Sequence, residues 1–209
     1  CYPFMLSCPF ILMAMHTLFL IYQTDNPENY MMNVGYFIAI ASLFYYPSIF
    51  LMIWAFISFI IFGYRKLRYL LIPFVAFMII NFIVIGLFFL IGDFNALIES
   101  YLTFFKNMSL SFELSLINTI FLSILTILFF ISLLIIFGNR NSDYGSNFRK
   151  RVGVSIVLTI ISSVIFFMQK PLMSNLLIFM MFAFFYAIAL SDIKKSRIAN
   201  IMMIVMTLM

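Results

Sequence analysis

The chain has 209 residues, of which 66% are hydrophobic, 20% are aromatic and only 9% are charged. Soluble domains carry roughly 25% charged residues, because polar side chains have to cover their surface. The composition therefore excludes a soluble globular protein and indicates a chain that is surrounded by lipid. The formal net charge of +5 does not indicate nucleic-acid binding, because the basic residues form short clusters between apolar segments.

Apolar segments follow one another along the whole chain. Most contain 17 to 25 residues, and at 1.5 Å per residue such helices match a hydrocarbon core of about 30 Å. We therefore predict an all-α, polytopic transmembrane bundle with about 6–7 spans, forming a single domain over residues 1–209. The segments are Phe4–Tyr22, Tyr30–Gly63, Tyr69–Ile91, Leu114–Gly138, Val152–Met168, Leu172–Leu190 and Ile198–Met209. Because the last one has only 12 residues, we expect the chain to be a fragment of a longer one.

Basic residues mark one side of the predicted membrane. The loops Tyr64–Arg68, Asn139–Arg151 and Ser191–Arg197 hold ten of the 12 lysines and arginines, which places them in the cytoplasm by the positive-inside rule. The loop Gln23–Asn29 has two acids and no base. We therefore expect it on the outer face, together with Gly92–Glu113.

The segment Tyr30–Gly63 is too long for one span. Its 34 residues would form a helix of about 51 Å, and Pro47 interrupts it because proline removes a backbone donor. Since its two ends are expected on opposite faces, we predict one crossing and a half-helix or interfacial arm that bends at Pro47. The bend is either purely structural or part of a cavity wall.

A second unusual stretch lies near residues 93–108. Apolar residues recur there at spacings of three and four, with polar residues between them, which predicts an amphipathic helix in the outer membrane interface. Such a helix either joins two spans or covers a lipid-facing groove. The apolar residues are Phe94, Leu97, Ile98, Tyr101, Phe104, Phe105 and Met108.

Candidate chemistry is sparse in this sequence. The chain has no Gly-rich phosphate loop and no Cys-x-x-Cys pair, and its single histidine, His16, is interpreted as a hydrogen-bonding residue. We select Asp25 and Glu28 as candidate catalytic residues, because a carboxylate near the membrane acts as a base or holds a divalent cation. The alternative is that both are solvated loop residues. No cofactor or metal is assigned.

Part of the sequence resembles known membrane proteins. The stretches Asn33–Phe50 and Tyr64–Pro73 resemble an uncharacterised family of bacterial polytopic inner-membrane proteins. A helix of small residues that ends in Tyr46-Pro47, followed by an apolar helix that ends in basic residues, also looks like membrane-embedded GT-C glycosyltransferases. The second resemblance implies transfer of a sugar from a polyprenyl-phosphate carrier at the outer face.

Two functions from different classes are therefore expected. The first is a multi-pass inner-membrane protein of cell-envelope biogenesis, GT-C-like, in which Asp25 and Glu28 contact a polyprenyl-phosphate-linked glycan and the helix near 93–108 shields the carrier. The second is a non-catalytic membrane subunit of a secretion, motility or transport complex, for which 29 Phe and 16 Met residues offer packing surface. Both predict the lipid bilayer as a partner and no nucleic acid.

Overall fold

The structure is a computed structural model, and the residues that it describes are almost entirely helical. They contain no strand, which confirms the all-α prediction for this part of the chain. The predicted segments Leu172–Leu190 and Ile198–Met209 and the loop Ser191–Arg197 lie mostly or wholly outside it. The described residues are 3–21, 24, 26–92, 94–106, 116–138, 146–168 and 181–186.

Helices with defined ends account for most of the described residues. A short 3-10 helix, Tyr46–Phe50, separates the second and third α-helices. The α-helices are α1 Pro3–Leu20, α2 Pro27–Phe44, α3 Leu51–Phe62, α4 Leu67–Ile91, α5 Phe94–Lys106, α6 Leu116–Gly138 and α7 Ser146–Met168.

The chain divides into two compact units. The first contains α1 to α5 and α7. The second contains α6 and the helical residues 181–186, where the Tyr186 hydroxyl donates a hydrogen bond of 2.7 Å to the Leu125 carbonyl. A single domain over residues 1–209 stays a prediction.

Helices α1 to α4 of the first unit run in alternate directions. The ring of Phe4, at the start of α1, lies 5.3 Å from the ring of Tyr45, which follows α2. At the other end of α1, the Ile21 carbonyl accepts a hydrogen bond from Tyr64, just after α3. Hence α1 and α3 end at one end of the unit, where α2 and α4 begin. We call this the basic end, because Tyr64–Arg68 lies there, and we call the opposite end, at Tyr45–Phe50, the turn end.

The course of Tyr30–Gly63 differs from the prediction. The chain leaves α2 with Tyr45 in an extended conformation (φ −139°, ψ 95°), turns through the 3-10 helix that contains Pro47, and returns along α3 to the basic end. The predicted single crossing with an arm is therefore wrong, because the proline break reverses the chain instead of bending it. Both halves of the segment are full helical passes of the unit.

This reversal also corrects the side on which one loop lies. Glu28 is 3.1 Å from Arg68, so the ends of Gln23–Asn29 and Tyr64–Arg68 meet, and the prediction that the two loops lie on opposite faces is wrong. The positive-inside rule depends on lysine and arginine, whereas acidic residues contribute little to it. A loop with two acids and no base therefore gave no valid signal for the outer face.

Helices α2 and α4 approach each other closely at a glycine. A Cβ atom at Gly35 would overlap the carbonyl oxygen of Pro73 and would lie 2.9 Å from the Cβ of Ala76. Gly35 and Ala39 are both buried and four positions apart on α2, a small-residue spacing that lets two backbones pack in contact. The absence of a side chain at position 35 thus sets the distance between α2 and α4.

Helix α3 is joined to α7 by the one tryptophan of the chain. Trp54 is fully buried, and its indole N–H donates a hydrogen bond of 3.1 Å to the Val154 carbonyl. Buried tryptophan usually satisfies its N–H in this way. The contact fixes the register of two helices that are about a hundred residues apart in sequence.

Helix α4 is the described helix that is long and apolar enough to cross a membrane. It has 25 residues, and of these only Pro73 and Ala76 are buried. Its remaining apolar surface points away from the unit. Phe4–Leu20, Tyr46–Phe62 and Ser123–Leu134 are apolar as well, but shorter.

Candidate functional site

Of the two predicted catalytic residues, the structure describes Glu28 but not Asp25. Asp25 lies outside the described residues. Glu28 lies in the first turn of α2, after Asn26 at the N-cap and Pro27 at the first helical position. A carboxylate in the first turn is favoured by the helix dipole, and proline at this position costs no backbone hydrogen bond. The local sequence therefore accounts for Glu28 structurally.

Glu28 forms an ion pair with Arg68 in the first turn of α4. The Nη2 atom of Arg68 lies 3.1 Å from one carboxylate oxygen and 3.3 Å from the other. The side chains are 76% exposed for Arg68 and 43% exposed for Glu28, so the pair contributes only about 0–1 kcal/mol. Both contacts use one nitrogen, so Nε and Nη1 of Arg68 have no protein partner within the described ranges.

Further basic side chains lie at the basic end. Arg65 and Lys66 are exposed and follow Gly63, whose left-handed conformation (φ 103°) ends α3, a role for which glycine is suited. On α7, Arg151 donates a hydrogen bond of 3.4 Å to the Phe19 carbonyl and lies 5.9 Å from the centre of the Phe19 ring. Basic residues from two loops thus lie at one end of the unit, with Glu28 among them.

The turn end has a different composition. Helix α5, Phe94–Lys106, lies within the range for which the sequence predicts an amphipathic helix, and it contacts the 3-10 helix through aromatic rings. The centre of the Tyr46 ring is 4.8 Å from that of Tyr101 and 5.8 Å from that of Phe104. Burial, and secondly the nearby Tyr46, raise the pKa of Tyr101 above its usual value. The interfacial position of α5 stays a prediction.

At the turn end, the acidic side chain that the structure describes is Glu99. Glu99 is exposed on α5, whereas Asp93 and Glu113 lie outside the described residues. Within the described ranges, no group of three or more side chains is placed to hold a metal ion. Glu99 is thus the described carboxylate that shares this end with the 3-10 helix.

A groove between α2 and α4 is the feature that sequence reasoning missed. It encloses about 500 Å³, and we call it the α2–α4 groove. It depends on two helices that are brought together at Gly35, which no single-segment pattern reveals. A second cavity of about 460 Å³ follows α4 from Phe74 to Ile85. The α2–α4 groove is lined by Met32, Arg68, Leu71, Ile72, Val75, Ala76 and Ile79.

Comparison of the chain with protein-family models, curated proteins and solved structures gives no match. The resemblances to bacterial inner-membrane proteins and to GT-C glycosyltransferases stay predictions.

Proposed function

We propose that this chain is a multi-pass protein of the bacterial inner membrane, with its basic end in the cytoplasm. The observation that carries the proposal is the meeting of basic residues from separate loops at one end of an antiparallel set of helices. Arg65 and Lys66 precede α4, Arg68 lies in its first turn, and Arg149 to Arg151 lie near the start of α7. The positive-inside rule assigns such an end to the cytoplasm.

Helix lengths support several crossings. The 25 residues of α4 extend about 37 Å, and the 18 residues of α2 extend about 27 Å, against a hydrocarbon core of about 30 Å. Helix α6, with 23 residues, extends about 34 Å and is also long enough for a crossing.

The experiment that tests this topology uses single cysteines. Cys1 and Cys8 are replaced by serine, and Asn26, Lys66 or Asn95 is replaced by cysteine in separate variants. We expect a membrane-impermeant maleimide to label position 95 in intact cells, and positions 26 and 66 only after lysis. Labelling of position 26 but not 66 in intact cells would refute the shared cytoplasmic end.

Within this topology, the role that we propose is cell-envelope biogenesis, with GT-C-like transfer of a sugar from a polyprenyl-phosphate carrier at the turn end. Its support is the amphipathic α5, which covers the 3-10 helix and has Glu99 on its exposed side. Glu28 is not assigned to this reaction, because it is paired with Arg68 at the other end. Asp25 precedes Glu28 by three positions in the sequence and is not assigned either.

The transfer reaction is tested by a matched pair of substitutions in the full chain. Glu99→Gln is expected to lower lipid-linked glycan assembly in whole cells at least tenfold, because loss of a general acid or base costs about 10²–10⁴ in rate. Glu28→Gln serves as the control and leaves assembly unchanged. Normal assembly in Glu99→Gln, at equal protein level, would contradict a catalytic role for this carboxylate.

A second function is favoured by the exposed part of α4. Phe82, Phe89 and Leu90 are 78%, 70% and 82% exposed. In a membrane such a surface faces lipid or another subunit, and aromatic residues are enriched in the cores of protein interfaces. They suit a non-catalytic subunit of a membrane complex. Purification from native membranes with other subunits in a fixed ratio, lost on Phe89→Ala with Leu90→Ala, would favour this role over the enzyme.

A further inference from the structure

The α2–α4 groove is lined by apolar side chains, and Arg68 lies at its mouth, at the basic end of the unit. We propose that it binds an acyl chain of an anionic glycerophospholipid from the leaflet at the basic end, and that Arg68 binds the lipid phosphate. The inference rests on the proposed membrane placement of α4, and on neither the sugar-transfer role nor the subunit role. The depth of the groove and its charge indicate this lipid as the occupant.

The depth of the groove matches one leaflet. Along α4 the lining begins at Arg68 and ends at Ile79, eleven positions later. At 1.5 Å per residue this is about 16 Å, which is half of a hydrocarbon core of about 30 Å. A chain that enters beside Arg68 therefore reaches the middle of the membrane at Ile79.

The walls of the groove suit a hydrocarbon chain. Leu71, Val75 and Ile79 present about half of their surface to the outside, and Met32 of α2 forms the opposite wall. The side chain of methionine is flexible and adapts to irregular apolar partners. Because Gly35 lies against Pro73 and Ala76, no side chain at position 35 separates α2 from α4 beside the groove.

The mouth of the groove has the charge and the donors that a phosphate requires. Arg68 is largely exposed and binds Glu28 through one nitrogen only, so the three N–H groups on Nε and Nη1 are available to phosphate oxygens. Arg65 and Lys66 are exposed beside it, so the three cations outnumber Glu28. Tyr64 and Tyr69, with ring centres 5.5 Å apart, are of the type found at the headgroup level of membranes.

The test compares two phospholipids with identical acyl chains. The full chain, purified in a mild detergent, is titrated with phosphatidylglycerol or phosphatidylcholine, and bound lipid is counted by native mass spectrometry. We expect the first phosphatidylglycerol to bind about tenfold more tightly than phosphatidylcholine. Both lipids offer a charged phosphate to Arg68, but the choline ammonium of phosphatidylcholine is repelled by the exposed cations at the mouth of the groove. Arg68→Gln should abolish this preference, and Lys106→Gln, which removes an exposed cation of α5 at the turn end, should retain it.

A second pair of variants tests the acyl-chain part of the groove. Val75→Phe places a larger side chain in the groove and is expected to weaken binding of both lipids severalfold. Leu90→Phe, on an exposed part of α4 outside the groove, should leave the binding of both lipids unchanged. Equal affinity for the two lipids in the unmodified protein would overturn the proposal, as would a preference that survives Arg68→Gln. Displacement of the lipid by soluble glycerol 3-phosphate would overturn the acyl-chain part. Cysteine labelling reports membrane placement independently, so failure of the lipid site and failure of the topology give different results.

Discussion

Gly35 is the residue at which the packing of the first unit is most sensitive to a single atom. Gly35→Ala places a methyl group against the backbone of Pro73, where the Cβ would overlap the carbonyl oxygen. Because backbone cannot rotate away as a side chain does, we expect a loss of about 1–3 kcal/mol in unfolding free energy. The measurement is denaturant-induced unfolding in detergent.

Gly86→Ala is the matched control for this substitution. Gly86 also lies inside a helix, but a Cβ there meets no atom within 4 Å. Alanine favours a helix over glycine by about 1 kcal/mol, so we expect this variant to be as stable as the unmodified chain or more stable. Equal stability of Gly35→Ala and Gly86→Ala would refute the close approach of α2 and α4.

Trp54 gives a second prediction at the scale of one residue. Trp54→Phe removes the hydrogen bond to the Val154 carbonyl but keeps an aromatic ring, so we expect a loss of about 1 kcal/mol in unfolding free energy. Ile53→Val, at a neighbouring position that is 51% exposed, should change stability by less. A Trp54→Phe variant as stable as Ile53→Val would show that the bond between α3 and α7 contributes nothing.

At the scale of elements, the sequence predicts where a helix forms far better than it predicts where the chain reverses its direction. Tyr69–Ile91 was predicted as apolar helix, and α4 spans Leu67–Ile91, because a long apolar run with a basic start leaves few alternatives. The break at Pro47 was also predicted. Its direction was not, because a proline ends a helix without specifying where the chain goes next. Contacts distant in sequence, such as Phe4 with Tyr45, decide that.

Helix α5 provides the prediction at this scale. Tyr101→Ala removes the ring closest to Tyr46, so we expect α5 to separate more often from the 3-10 helix and its amides to exchange with solvent about tenfold faster. Such a change corresponds to the roughly 0.5–1.5 kcal/mol of an aromatic pair. Hydrogen exchange with mass spectrometry measures it. Leu102→Ala, on the 51% exposed neighbour, is the control, and equal exchange in both variants would argue against docking of α5 through Tyr101.

For the whole molecule, the sequence predicted only in part which residues lie at the same end of the first unit. Basic clusters were sufficient to predict a common side for Tyr64–Arg68 and Arg149–Arg151, because lysine and arginine carry the orientation signal. Glu28 was misplaced, because its position depends on a tertiary contact with Arg68. The α2–α4 groove could not be predicted, because it exists only where two helices meet.

The arrangement of α2 and α4 leads to the last prediction. In a chain without Cys1 and Cys8, cysteines at positions 28 and 68 replace the two members of the ion pair, whose side chains are 3.1 Å apart. We expect a short bifunctional thiol reagent to join them within one chain, which protease cleavage between α2 and α4 followed by gel electrophoresis detects. Cysteines at positions 28 and 99 are the control, because Glu99 follows α4 at the turn end.

These two pairs separate the observed reversal from a single crossing. If Tyr30–Gly63 crossed the membrane once, position 68 would lie a full membrane thickness of about 30 Å from position 28, and no short reagent would join them. With the reversal at Pro47, the 28–68 pair reacts and the 28–99 pair does not. Reaction of 28–99 without 28–68 would place Glu28 at the turn end, and would restore it as a candidate for chemistry on that face of the membrane.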